Sequence, residues 1–272
     1  MKLPIFLPLS LAGLCCLHAT PAAFAATSPL LKASLSNVKF GVLDLTPNDS
    51  VTAAYRINQQ EIEIQNRIHH WWSSPQQQTV ELHLAPGDAV ENRLSKGPLH
   101  TSIQSNGSLG DAKAELRWDA GRPLPHLSNS FWNQYSYKAG LTLSAGSALL
   151  LSGNLLQQFR PAGMYNYDLT QSFFTATLSQ RGGNVANQAS YQSILYRYRD
   201  ENLNGWDRQS DFSLVLSNFS NADIAIDVTL ELYSAMNATK PLNPVPEPAS
   251  YAMFGAGLIL LGWSALRRKR CS

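Results

Sequence analysis

The chain has 272 residues, a formal net charge of only +2, and 15% charged residues against about 25% in average soluble domains. Four cations, Arg267, Arg268, Lys269 and Arg270, sit together at the C-terminal end, so the rest of the chain has no basic excess with which to hold nucleic acid. Its three cysteines, Cys15, Cys16 and Cys271, lie near the two ends, which excludes a disulfide framework from everything between them.

Taken from the start, Met1-Lys2 forms a short basic region and residues 3–17 form an apolar run. Ala23-Phe24-Ala25 then supplies a small-x-small pattern. Together they read as a secretory signal over residues 1–25, engaged by the Sec translocon and cut by signal peptidase between Ala25 and Ala26. A permanent anchor is the alternative, but the apolar run is short for a span. A lipoprotein signal is disfavoured because Leu14 stands where a small residue should precede Cys15.

Residues 26–236 alternate apolar and polar with a period of two, the mark of half-buried strands. Val38, Phe40 and Val42 give a first strand that ends before Pro47-Asn48-Asp49. Residues 57–72 mix a strand-like pair, Ile62 and Ile64, with near-helical spacing of Ile57, Ile64, Ile68 and Trp71; the reading here is strand. Val80, Leu82 and Leu84 stop at Pro86-Gly87-Asp88, where proline presets φ and glycine frees it. Long loops are expected around Gly97-Pro98 and Gly121-Arg122-Pro123. Leu141-Leu143 and Leu149-Leu151 predict one hairpin across Ser144-Ala145-Gly146-Ser147. Ile194, Tyr196 and Tyr198 form a further strand. Phe212-Leu214-Leu216 and the run Ile224, Ile226, Val228, Leu230, Leu232 predict a second hairpin across Asn218, Ser220 and Asn221. Many short strands with polar turns predict an all-β fold, an antiparallel β-sandwich or jelly-roll-like body.

A linker is expected at residues 237–244, and residues 245–272 form a distinct C-terminal unit. Pro246-Glu247-Pro248 opens it, and both prolines hold the backbone extended. Residues 249–266 carry no charge; as a helix they reach about 27 Å, enough for a single transmembrane helix. Arg267, Arg268, Lys269 and Arg270 then act as a stop-transfer cluster that stays cytoplasmic, which places the body outside the inner membrane.

These residues carry a resemblance. Pro246-Glu247-Pro248, one short span and a terminal basic cluster are similar to the PEP-CTERM sorting signal of Gram-negative bacteria that make extracellular polysaccharide. The resemblance implies an exosortase-type partner, an integral-membrane cysteine transpeptidase that recognises the motif and removes the tail. It implies export, a transient inner-membrane anchor with the body in the periplasm, and delivery to the cell surface or beyond. It also implies association with exopolysaccharide or biofilm. The body loosely resembles all-β precursors with such tails, at Ser34-Leu35-Ser36-Asn37, at residues 43–49 and at Ser217-Asn218.

No catalytic constellation is legible. His69, His70, His83, His100 and His126 lack zinc-site spacing, and no nucleophile elbow or phosphate loop is present. Asp88 with Glu91, or Asp111 with Glu115, would suit glycoside hydrolysis but read first as solvated turn residues. One loop has calcium-type order: Asp200, Asn202 and Asn204 at positions one, three and five, Gly205 at six, the Trp206 carbonyl at seven and Asp211 at twelve. Against calcium stand Arg208 at position nine and the plain turn signal Asn204-Gly205. Trp71, Trp72, Trp118, Trp132, Tyr135 and Trp206 could stack on sugars or pack in the core. The expectation is a non-enzymatic surface or matrix protein; the rivals are a carbohydrate-binding module and a secreted polysaccharide hydrolase.

Overall fold

The computed structural model describes residues 28–48, 50–71, 77–109, 111–119, 128–161, 167–182, 187–198 and 205–239. The export signal, the sorting motif and the expected C-terminal span lie outside these residues. Among the described residues no helix is long and apolar enough to cross a membrane.

Twelve strands account for the body: β1 (Leu30–Asp44), β2 (Tyr55–Trp71), β3 (Gln78–Leu84), β4 (Val90–Lys96), β5 (Leu99–Ser105), β6 (Ala112–Trp118), β7 (Ser128–Leu143), β8 (Ser147–Arg160), β9 (Tyr167–Gln180), β10 (Gln188–Tyr198), β11 (Trp206–Asn218) and β12 (Ile224–Thr239). They form two six-stranded sheets, β11-β8-β1-β6-β5-β4 and β10-β9-β12-β7-β2-β3, with every pairing antiparallel. The fold is all-β, as expected, and residues 57–71 lie in strand β2. The last strand runs to Thr239, three residues past the expected limit of the body, so the start of the predicted linker is sheet.

Both expected hairpins are corrected. β7 belongs to the second sheet and β8 to the first, and β11 and β12 are divided in the same way. Each short connection therefore crosses between the sheets. The alternation is the physical reason: a long strand with one apolar face buries it by stacking on the opposite sheet, and lateral pairing then falls to other strands. Gly97-Pro98, expected in a long loop, is instead a two-residue turn between β4 and β5. Gly97 has φ +60°, which a hairpin of this length requires and a side chain resists.

The two crossings are tied together by one buried residue. Asn218 ends β11 with 2% of its surface exposed. Its Nδ2 donates to the carbonyls of Ala222 at 2.8 Å, Ser144 at 3.0 Å and Leu143 at 3.4 Å. Its Oδ1 accepts from the Ser220 amide at 3.1 Å and the Ser220 hydroxyl at 2.6 Å. At the β7–β8 crossing Gly146, with φ +62°, packs its backbone against Thr46, and its carbonyl accepts from the Leu45 amide at 2.9 Å.

The interior is divided in two. A large cluster includes Ile62, Ile64, Tyr135, Tyr137, Leu151, Phe174, Phe212 and Leu230. A smaller one holds Leu31, Ile68, Leu99, Leu116, Trp118, Phe131, Phe159 and Met236. Between them a polar row crosses the inner face of the second sheet: Asn66 opposes Asn133, Asn133 opposes Ser234 and Ser234 opposes Ser172. All four are fully buried. The first sheet supplies partners. Asn66 Oδ1 accepts from the Thr101 hydroxyl at 2.7 Å, and its Nδ2 donates to the Asn92 carbonyl at 3.0 Å. Gln157 donates to Ser172 at 2.9 Å and accepts from Ser193 at 2.7 Å. Such bonds offset the desolvation of the buried amides.

Replacing Asn218 with Ala removes the ties at both crossings and leaves carbonyls unpaired in a buried site. The expected loss is about 2–3 kcal/mol, read by urea unfolding of the folded protein. Gln158→Ala, which removes one exposed bond to Asp207, serves as the control and should change stability by under about 1 kcal/mol.

Candidate functional site

In a sheet, residues directly opposite one another point to the same face, so the register maps the outer surface. On the second sheet one outward row runs Ile194, Phe173, Tyr233, Gln134, Gln65. The adjacent row runs Tyr196, Gln171, Ala235, Trp132, Arg67. Tyr198 opposes Leu169 in the next row. Neighbouring strands lie about 4.8 Å apart, so these rows form a broad band of rings and amides.

Rings in the band touch each other. Trp132 and Tyr233 have centroids 5.8 Å apart, and the Arg67 guanidinium lies 5.9 Å from the Trp132 ring centre. Tyr196 and Tyr198 meet edge to face at 5.4 Å. Ile194, Tyr196 and Tyr198 are 47%, 56% and 56% exposed, whereas Phe173, Tyr233 and Trp132 are half-buried. Burial pushes the Tyr233 phenol up from its ordinary value, partly opposed by a hydrogen bond with Gln171 and by Arg67. The tyrosine is therefore neutral, a ring with a hydroxyl rather than a charge. Glutamines 65, 134 and 171 stand beside the rings, each with one donor and one acceptor group.

The first sheet presents a different outer face. Lys32 pairs with Glu115 at 3.4 Å, Arg117 meets Asp119 at 3.4 Å, and Gln158 donates to Asp207 at 2.7 Å. Charges and small polar groups lie there beside an apolar pair, half-exposed Val215 opposite Leu150.

The other sequence candidates separate. Trp118 and Tyr135 are fully buried and belong to the two cores. Trp206 packs on Phe159 at 4.9 Å. His83 is exposed between Glu61 at 3.3 Å and Glu81 at 3.2 Å. Glu91 accepts from Gln104 and Arg93, each at 2.6 Å, and these bonds hold its carboxyl below the ordinary value. A glycosidase acid requires the opposite shift. Asp111 accepts from Asn106 at 2.7 Å, and Glu115 is taken by Lys32. The side chains of His70, Trp71 and Trp72, and all of His126, lie outside the described residues.

One constellation escaped the sequence reading. His100 lies between Ser95, 2.9 Å from Nδ1, and Asp119, 2.9 Å from Nε2. The order serine, histidine, aspartate is that of a hydrolase, and only strand pairing reveals it, because Ser95 opposes His100 across β4 and β5. Ser95, however, is exposed on a regular edge strand. A hydrolase serine stands on a strained turn beside converging backbone donors.

Of the calcium-type loop the structure describes only the end. Asp200, Asn202 and Asn204 lie outside the described residues. Trp206 and Asp211 both lie in strand β11 and not in a loop. Five strand steps separate them by roughly 16 Å, whereas one calcium ion holds its oxygens about 2.3–2.6 Å away. Asp211 instead accepts from Asn154 at 2.6 Å, and Asn154 accepts from Asn37 at 2.8 Å, a ladder across β11, β8 and β1. Among the described residues no group of three His, Cys, Asp or Glu could hold a metal.

The class defined by these features is an all-β, two-sheet protein with one aromatic outer face. A family model described as PEP-CTERM protein-sorting motif matches residues 244–269. Residues 244–269 thus carry a PEP-CTERM protein-sorting motif, as the tail led one to expect, and such a motif implies export and sorting through an exosortase. The match takes in Pro246, Glu247 and Pro248, the apolar run and Arg267, Arg268 and Lys269, and it stops before Arg270. No curated protein and no solved structure matches the chain.

Asp211→Ala should lower the melting temperature slightly, by the same amount in calcium and in chelator, because the residue serves Asn154. A calcium-dependent difference that the substitution abolishes would restore the metal site.

Proposed function

We propose that this is a non-enzymatic surface or matrix protein whose body associates with exopolysaccharide through the outer face of the second sheet. The aromatic band carries the reading. Hexose rings have apolar C–H faces and hydroxyl edges; ring faces pack on the former, and the amides of Gln65, Gln134 and Gln171 bond the latter. A chain of such rings needs an open, extended surface, and a flat sheet face offers one. The paired charges of the first sheet lack this character and support the opposite assignment for that side.

The tail fits the same reading. The basic cluster keeps the short span from slipping through the membrane, since each charge costs about 2.5–3.5 kcal/mol near the bilayer centre. Release of the body therefore requires a cut. Pro246 and Pro248 disfavour a helix around Glu247, and an extended segment of that kind at the membrane surface is one that a membrane-embedded transpeptidase can grip.

Two measurements test the reading. Affinity electrophoresis through gels containing the host's own polysaccharide should retard the released wild-type protein. The pair Trp132→Ala and Tyr233→Ala should weaken retention about tenfold or more, and Ser152→Ala on the first sheet should not. Equal retention in all three would sink the aromatic-face assignment. Hydrolysis of a polysaccharide or ester that Ser95→Ala abolishes would overturn the non-enzymatic reading. Separately, body and tail carry different tags in the native host. Wild-type body should leave the inner membrane without its tail, and Glu247→Ala should remain attached to it. Unchanged release in that variant would remove Glu247 from recognition.

A further inference from the structure

A sandwich of two open sheets has four edge strands, each with a row of backbone groups that the sheet itself leaves unpaired. Here they are β11 and β4 of the first sheet and β10 and β3 of the second. Three are guarded by the devices that keep edges apart. β3 has seven residues and carries Glu81 and His83 facing outward. β4 also has seven residues and carries Glu91, Arg93 and Lys96. β11 is longer, at thirteen residues, but presents Asp207, Arg208 and Asp211 to solvent.

β10 keeps one such device, an inward-pointing charge, and lacks the others. It runs eleven residues, Gln188–Tyr198, without proline or bulge in its pairing with β9. Its single charge, Arg197, points inward and is 5% exposed. Its outward positions are Gln188, Ser190, Gln192, Ile194, Tyr196 and Tyr198, and the last three are among the most exposed large apolar side chains described. A long edge without outward charge and apolar over its C-terminal half templates pairing with another strand.

We propose that β10 pairs antiparallel with β10 of a second copy of this chain, across a two-fold axis. A register centred on Leu195 sets Ile194 against the second copy's Tyr196, and Gln192 against its Tyr198. Arg197 then faces Ser193, so no charge meets its own kind. Charge also selects the partner: an acidic or basic strand would find no counter-charge along β10, whereas an identical strand meets like with like. The other edge of the same sheet, β3, is charged and short, so growth stops at two copies instead of running on as a filament. The dimer joins the outer faces of two second sheets into one twelve-stranded surface.

The test uses the full chain in detergent, with light scattering to separate protein mass from micelle mass. Wild type should be dimeric, and Ile194→Lys with Tyr196→Lys should be monomeric, because each lysine then faces the other lysine of the second copy beside the axis. Val215→Lys on β11 should stay dimeric. Hydrogen exchange gives a second readout on unmutated protein: β10 amides should exchange as slowly as those of β9 and far more slowly than those of β3. A wild-type monomer at every concentration overturns the proposal. So does a dimer that survives both lysines, which would place association in the tail, or β10 amides that exchange as fast as those of β3.

Discussion

Both places where the chain passes from sheet to sheet near Asn218 depend on a carboxamide that leaves no polar group idle. Its amide nitrogen gathers carbonyls from the end of β7, from the β7–β8 turn and from the loop before β12. Its oxygen holds Ser220. Crossings expose backbone groups that a ladder would otherwise satisfy, and burying them bare is costly. One side chain that caps three segments makes it possible for the β7–β12 pair of one sheet to stack face to face on the β8–β11 pair of the other. The large apolar cluster is assembled from those same four strands together with β1, β2, β5, β6 and β9.

The stacking sets the two outer faces free to differ. Core demands are met by inward residues alone, so outward positions carry whatever chemistry the exported protein uses. The first sheet spends them on paired charges and polar ladders such as Asp211, Asn154 and Asn37. The second spends them on Phe173, Tyr233, Trp132, Tyr196 and their neighbouring glutamines. A surface protein released at a membrane has two broad sides, and here only one of them suits the apolar face of a sugar.

The strands were legible because a period of two is a local property: Ile224 to Leu232 and Val80 to Leu84 declare it within a few residues. Pairing was not, because nothing local distinguishes a hairpin from a crossing. Leu141-Leu143 and Leu149-Leu151 are compatible with both, and the choice is made by strands distant in sequence, β12 and β1. The aromatic band shares this property. Phe173, Tyr196 and Tyr233 are scattered through the chain and become neighbours only through register. The His100 constellation was hidden for the same reason. The tail was legible outright, since its motif, span and charges are contiguous and answer to a membrane rather than to a fold.

The buried polar row has a consequence for assembly. β2, β7 and β12 each run sixteen or seventeen residues with monotonous alternation, and such strands can shift along each other. A shift by one residue turns apolar side chains outward and is rejected at once. A shift by two keeps every face correct, and hydrophobicity alone would hardly notice it. Yet it would set Asn66 against Tyr135 or Phe131 instead of Asn133, stranding an amide in the apolar interior. The row thus works as a vernier: hydrophobic alternation measures odd errors and the asparagine–serine line measures even ones. Between them only one alignment of the long strands remains.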